Sequence, residues 1–143
     1  MSTARLIDFK YVKSGQVRVV VKNLADSGGL DSQAAAAAYC ASDQGKFWEY
    51  NDTLMESYYA GNRAVFTPAG LRQVATELHL DAAAFAACLD QGKYAQRLAD
   101  EAAEARARGV TGTPTFFIND YKIVGAQPYE VFEAPIEAAL RVQ

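Results

Sequence analysis

Two thiols, one imidazole and one threonine–proline pair are the residues in this chain whose types could do chemistry: Cys40, Cys88, His79 and Thr113-Pro114. Disulfide exchange needs an attacking thiolate with a resolving thiol close by. The attacking sulfur is usually lodged at a helix N-terminus, where the dipole and free N–H groups lower its pKa. Neither Cys40 nor Cys88 belongs to a Cys-x-x-Cys, and each falls inside an expected helix, so no catalytic cysteine is read. His79 with two distant thiols makes no metal-ligand set, and no metal or other cofactor is expected. The imidazole ends the stretch Glu77-Leu78-His79-Leu80 and reads as a solvated position whose charge suits a helix C-terminus. Thr113-Pro114 stands immediately before a β-rich run. Proline cannot donate to a ladder and is acceptable at a strand start. A cis bond there exposes the backbone of the residue before it.

Elements that would position these residues can be read from periodicity. Ser2 or Thr3 can cap a short helix over Ala4 to Ser14, closed by Ser14-Gly15. Val17 to Lys22 is β-branched and reads as a strand, and Ser27-Gly28-Gly29 as a loop. Leu30 to Asp43 is an alanine-rich helix broken by Gly45, and Phe47 to Tyr59 a second, with Phe47, Tyr50, Leu54 and Tyr58 near one stripe. Thr67-Pro68 starts a helix carrying Leu71, Val74, Ala75 and Leu78, and Asp81 caps one carrying Phe85, Cys88 and Leu89. Gly92 precedes a last long helix, Lys93 to Arg108, closed by Gly109. The period then falls to two. Thr115-Phe116-Phe117-Ile118 and Tyr121-Lys122-Ile123-Val124 form a hairpin turning at Asn119-Asp120, and Pro128 to Arg141 is a C-terminal helix. The plan is α/β, one domain over residues 1–143, with a helical insertion over about residues 30–108.

Composition narrows the classes. The chain has 143 residues, half of them apolar, and a net charge of −3. That is enough to bury a core without metals. Both signs of charge are interspersed, so no nucleic-acid footprint is read. No apolar run reaches membrane-spanning length. No charged-then-apolar leader follows Met1. The expectation is either cytoplasmic residence or a chain shorter than its precursor, and the compartment stays open.

Gly109-Val110-Thr111-Gly112-Thr113-Pro114-Thr115-Phe116-Phe117-Ile118-Asn119 resembles the cis-proline segment of thioredoxin-fold oxidoreductases. Gly125-Ala126-Gln127-Pro128 is similar to the same family, as is the stretch from Cys40 through Trp48 to Tyr50. Tyr11 to Arg18 resembles the end of that family's first helix and the start of its second strand. Together these segments resemble the DsbA-type thiol–disulfide oxidoreductases along nearly the whole chain. The resemblance implies a thioredoxin-like α/β fold and a parent activity of dithiol oxidation or disulfide isomerisation. It also implies that the backbone at Thr113-Pro114 pairs with an extended peptide. The departure is the Cys-x-x-Cys, which this sequence does not contain. The ungapped match from Tyr11 makes the first residues a helix remnant, with the family's first strand and the start of its active-site helix missing. A competing alignment makes Arg5-Leu6-Ile7-Asp8-Phe9 the strand and deletes the helix.

Redox-inactive homologue of the oxidoreductases is therefore the expected function. A non-catalytic module using the cis-proline edge to hold a peptide or partner strand is the alternative. Members of the family often carry a pair like Cys40 and Cys88, which implies a structural disulfide; two small buried thiols are the other reading. Phe47, Trp48, Tyr50, Tyr58 and Tyr59 read as packing within the insertion, against an aromatic peptide surface. Arg97, Arg106 and Arg108 with Asp100, Glu101 and Glu104 read as a solvated, ion-paired helix face. Without a strand between Val17–Lys22 and the hairpin, two apolar edges stay open, and a homodimer is expected to cover them.

Overall fold

A computed structural model describes residues 3–25 and 29–142. The expected Ser2 cap and the Ser27-Gly28 part of the expected loop lie outside them. The chain forms two compact units, one contiguous, Asn23–Ala105, and one assembled from both ends, Met1–Lys22 with Arg106–Gln143.

The contiguous unit is helical: α2 (Leu30–Ser42), α3 (Phe47–Tyr59), a 3₁₀ turn (Arg63–Phe66), α4 (Pro68–Glu77), α5 (Ala82–Asp90) and most of α6 (Ala95–Ala107) follow α1 (Thr3–Ile7) of the other unit. Helix starts follow sequence chemistry. The Thr67 hydroxyl accepts from Gly70 N–H with Pro68 in the first turn, and the Asp81 carboxylate accepts from Ala84 N–H. His79 has φ 58° and closes α4 as a Schellman turn: Leu80 N–H donates to Ala75 C=O at 2.9 Å and His79 N–H to Thr76 C=O at 3.0 Å. Alanines Ala37, Ala38 and Ala41 let α2 lie close to its neighbours around Tyr50, Leu54, Leu71, Val74, Phe85 and Cys88, all buried. Gly70 is required for a comparable reason. A Cβ there would overlap the Ala64 carbonyl oxygen and come within 2.7 Å of Val65 Cα.

Beside that core Tyr39 and Leu98 form a second cluster, and its polar centre is Glu101. This carboxylate is 6 % exposed and accepts from Tyr39 O–H at 2.7 Å, Asn23 N–H at 2.9 Å and Arg97 Nε at 3.0 Å. Arg97 also lies 4.0 Å from the Tyr39 ring centroid. The expected ion-paired face of α6 is thus half corrected: Arg97 does pair with Glu101, but Glu101 is inside. The buried Tyr39 hydroxyl and the Asn23 backbone N–H both need its oxygens, and helical spacing alone does not announce them.

The unit built from both ends is mixed. Its sheet is an antiparallel hairpin of β1 (Thr115–Ile118) and β2 (Tyr121–Val124), with Thr115 opposite Val124 and Ile118 opposite Tyr121. Asn119 supplies the left-handed turn conformation with φ 52°. Helix α7 (Tyr129–Leu140) packs Phe132 and Ile136 with Ile123 and Tyr11. The helix α1 continues as a π-helical turn over Asp8–Val12, so residues 5–9 are helical and the competing strand alignment is overturned. Tyr11 O–H donates to Glu137 at 2.6 Å, and Lys10 reaches Glu133 at 2.6 Å and Glu137 at 3.4 Å. These bonds fasten the N-terminal helix to α7.

Val17 to Lys22 is not a strand. The segment leaves Val19 46 % and Val20 57 % exposed and joins no sheet. A strand is defined by its ladder, and β-branched composition supplies none. No described helix is long and apolar enough to cross a membrane.

Candidate functional site

Cys40 and Cys88 are brought together. Their sulfurs form a disulfide that ties α2 to α5 across a sequence separation of 48, with Cα atoms 5.9 Å apart. Both residues are buried, Cys40 at 2 % and Cys88 at 8 % exposure. Neither is a free thiol. Asp43 lies alongside, its carboxylate accepting from Lys93 at 2.7 Å and Tyr94 O–H at 2.5 Å, with the Cys88 sulfur 3.8 Å away. Lys93 and then Tyr94 hold the Asp43 carboxyl below its ordinary range. Sequence spacing gave no sign of this cluster, because its members come from three different segments. Burial and the Glu101 carboxylate push the Tyr39 phenol up to about 12. Burial also raises Tyr50, whose hydroxyl donates to Leu71 C=O at 2.8 Å.

Thr113 and Pro114 sit together in the mixed unit, both exposed, at the mouth of the hairpin. Gly109, with φ 69°, turns the chain off α6, and its carbonyl accepts from Lys122 Nζ at 3.2 Å. Within the same unit, Arg108 lies 3.6 Å from the Phe117 ring centroid. The Thr115 hydroxyl donates back to Gly112 C=O at 2.7 Å, and Gly125 N–H donates to Pro114 C=O at 2.8 Å. The Thr113–Pro114 peptide bond is cis. Among the described residues no hydrogen bond engages the N–H or C=O of Thr113. An extended chain laid alongside would find one donor and one acceptor there, the elements of strand addition. The disulfide and this corner belong to different units.

The expected aromatic packing divides. Tyr50 is fully buried, and Phe47 stacks on Tyr39 at 5.9 Å between centroids. Trp48, Tyr58 and Tyr59 are exposed by 50 %, 48 % and 83 %, which corrects the reading of these three as interior. Helical spacing puts residues 48 and 59 opposite the buried stripe. His79 is exposed at the end of α4.

The chain is 36% identical over 106 residues to the Na(+)/H(+) antiporter NhaA 1 of Salinispora arenicola, covering 74% of this chain and 16% of that protein. It is 34% identical over 116 residues to the Na(+)/H(+) antiporter NhaA 3 of Salinispora tropica (81% and 17%), and 33% identical over 108 residues to the Na(+)/H(+) antiporter NhaA of Herminiimonas arsenicoxydans (76% and 17%). The chain thus spans about a sixth of the length of these curated relatives. Residues 15–137 match the family described as the DSBA-like thioredoxin domain. That match runs from the end of the π-helical turn through the disulfide-tied helices and the Thr113–Pro114 hairpin into α7, and with it the chain belongs to the DSBA-like thioredoxin domain family: a thioredoxin-like α/β fold with a helical insertion, of thiol–disulfide oxidoreductase type.

Proposed function

We propose that this chain performs no thiol–disulfide exchange and serves as a binding module of the oxidoreductase fold. The observation that carries the proposal is the use of both sulfurs in one buried bond, Cys40–Cys88, with no vicinal dithiol in the sequence. Exchange requires a thiolate that can reach a substrate disulfide and a second thiol to resolve the mixed species. Purified chain should give no insulin reduction or oxidative refolding above the background of the added thiol. Turnover that disappears in Cys40→Ala would overturn the proposal.

The binding role rests on Thr113. Its exposed, unpaired backbone groups support capture of an extended peptide at Thr113-Pro114. The probe is a reduced, alkylated unfolded protein titrated into isotope-labelled chain. Amide shifts should cluster at Thr113 and Thr115, and shifts that avoid them would defeat this assignment. The exposed Val19 and Val20 support a homodimer in which a second copy covers the segment that carries them. Light scattering at micromolar concentration tests it, and a monomer throughout would reject it. The likeness to part of three antiporters supports residence of the module in a longer membrane-transport polypeptide. An immunoblot of the native source should then show a product several times longer than 143 residues; a stand-alone product of this size would refute that.

A further inference from the structure

Helix α3 is amphipathic in an unusual sense. One side buries Tyr50 and Leu54. The opposite side should carry only solvated polar groups. It carries Trp48, Met55 and Tyr59, exposed by 50 %, 45 % and 83 %, interleaved with Asp52 and Glu56. Positions 48, 52, 55 and 59 are spaced by three or four residues, and Glu56 falls on the same face, four after Asp52 and three before Tyr59. Exposed aromatic and methionine side chains grouped in this way mark interaction surfaces.

The charges on this face select the occupant. No ion pair engages Asp52 or Glu56 among the described residues, whereas the neighbouring Glu49 is paired with Lys46 at 3.1 Å. Two unpaired carboxylates among aromatic rings repel an anionic lipid surface and attract a cation. The rings add a second attraction, because ammonium and guanidinium groups seat on their faces. The structure shows that chemistry at the edge of the same helix: Arg63 Cζ lies 4.5 Å from the Tyr58 ring centroid.

We infer that the outer face of α3, formed by Trp48, Asp52, Met55, Glu56 and Tyr59, docks a lysine- or arginine-bearing amphipathic segment of a partner polypeptide. Apolar side chains of that segment lie on Trp48 and Met55, and its cations meet Asp52 and Glu56. This surface belongs to the helical unit and is independent of the peptide edge at Thr113.

Trp48 is the single tryptophan of the chain, so its emission reports directly on this face. The probe is a synthetic amphipathic helix of leucine and lysine, with a leucine–glutamate counterpart of equal length. The leucine–lysine peptide should produce a saturable blue shift, and the glutamate peptide none. Asp52→Lys with Glu56→Lys should weaken binding by about tenfold or more, since like charges then face each other. Glu77→Lys with Asp120→Lys makes the same change in net charge elsewhere and should leave binding within about twofold. Circular dichroism establishes that both variants are folded. No saturable shift, equal binding of the glutamate peptide, or equal weakening in the two charge variants would each overturn the inference. A blue shift with anionic vesicles that exceeds the peptide's would reassign the face to lipid and overturn it as well.

Discussion

The helical and the mixed unit are held together by different means. In the helical unit, Asn23–Ala105, apolar residues from α2, α3, α4 and α5 enclose Tyr50, Leu71 and Phe85, a disulfide crosses between helices, and a buried carboxylate gathers three donors. The mixed unit has a smaller interior around Tyr11, Ile123, Phe132 and Ile136, a two-stranded sheet and the segment of residues 17–22, which joins no ladder. Its N-terminal helix is fastened to α7 by burial of Tyr11 against Phe132 and Ile136, by the Tyr11–Glu137 bond and by exposed ion pairs from Lys10. Covalent and buried polar ties are insensitive to salt, whereas exposed pairs are screened. The attachment of the N-terminal helix to α7, in the unit that carries Thr113–Pro114, therefore includes a part that responds to solution conditions.

The sharpest way to break this contrast is to remove the covalent tie. Replacing both Cys40 and Cys88 by alanine should lower the stability of the helical unit by about 4 kcal/mol in the chain-entropy account. Amide exchange should accelerate in α2 and α5 and stay unchanged in β1 and β2. A uniform change across both units would show that they do not differ in this way. Next in size is Glu101→Ala, which leaves the Tyr39 hydroxyl, the Asn23 amide and Arg97 without their acceptor; about 3 kcal/mol should be lost in denaturant unfolding. A cost under about 1 kcal/mol would place the carboxylate among surface pairs.

Acidity sharpens the contrast from the other side. Lys10 and then Tyr129 depress the Glu133 carboxyl, and Tyr11 and then Lys10 depress Glu137. Groups whose folded pKa is lowered contribute stability above their unfolded pKa and lose it as pH falls through the folded value. The mixed unit should thus loosen below about pH 4, the ordinary carboxylate range. The helical unit also loses the Asp43–Lys93 pair there but keeps its disulfide, so α7 exchange should rise before α2 exchange. With Tyr39 the sign reverses. Its raised pKa means stability fully present below the ordinary phenol value near 10 and lost as pH rises toward about 12. Phenolate absorbance and ellipticity should change together in that window. The smallest effect is His79→Gly, which relieves a left-handed non-glycine at the end of α4 and should stabilise the helical unit by about 0.5–1 kcal/mol. A loss of stability there would mean that the imidazole does more than occupy the turn.

Local chemistry was legible and long-range pairing was not. Thr67-Pro68, Asp81, Gly109 and Asn119 each declare a turn or a helix end through their own preferences, and the structure places those features at them. The hairpin Thr115–Val124 was readable for the same reason, since both strands and the turn are contiguous. Val17 to Lys22 misled because β-branching describes a strand's residues and not its neighbour. Glu101 misled because the groups that bury it, Tyr39 and Asn23, are far away in sequence. The thiol pair was legible only through family resemblance, and the exposed Trp48 and Tyr59 only once the buried side of α3 was known.

The bond from Asn23 N–H to Glu101 has a consequence for the order of events during synthesis. It joins the first residue of the helical unit to one only four short of its last, Ala105. Folding of that unit, which is complete in sequence by residue 105, draws the two flanks of the chain together. The mixed unit must bring Tyr11 to Phe132 and Glu137, partners that are synthesised only after the helical unit. With the intervening stretch already condensed, the search is made by the two segments that flank it and not across a coil of more than a hundred residues, and the loop-closure entropy opposing it falls accordingly. Glu101→Ala should for that reason slow formation of the hairpin–α7 layer in refolding, although the substituted side chain lies in the helical unit.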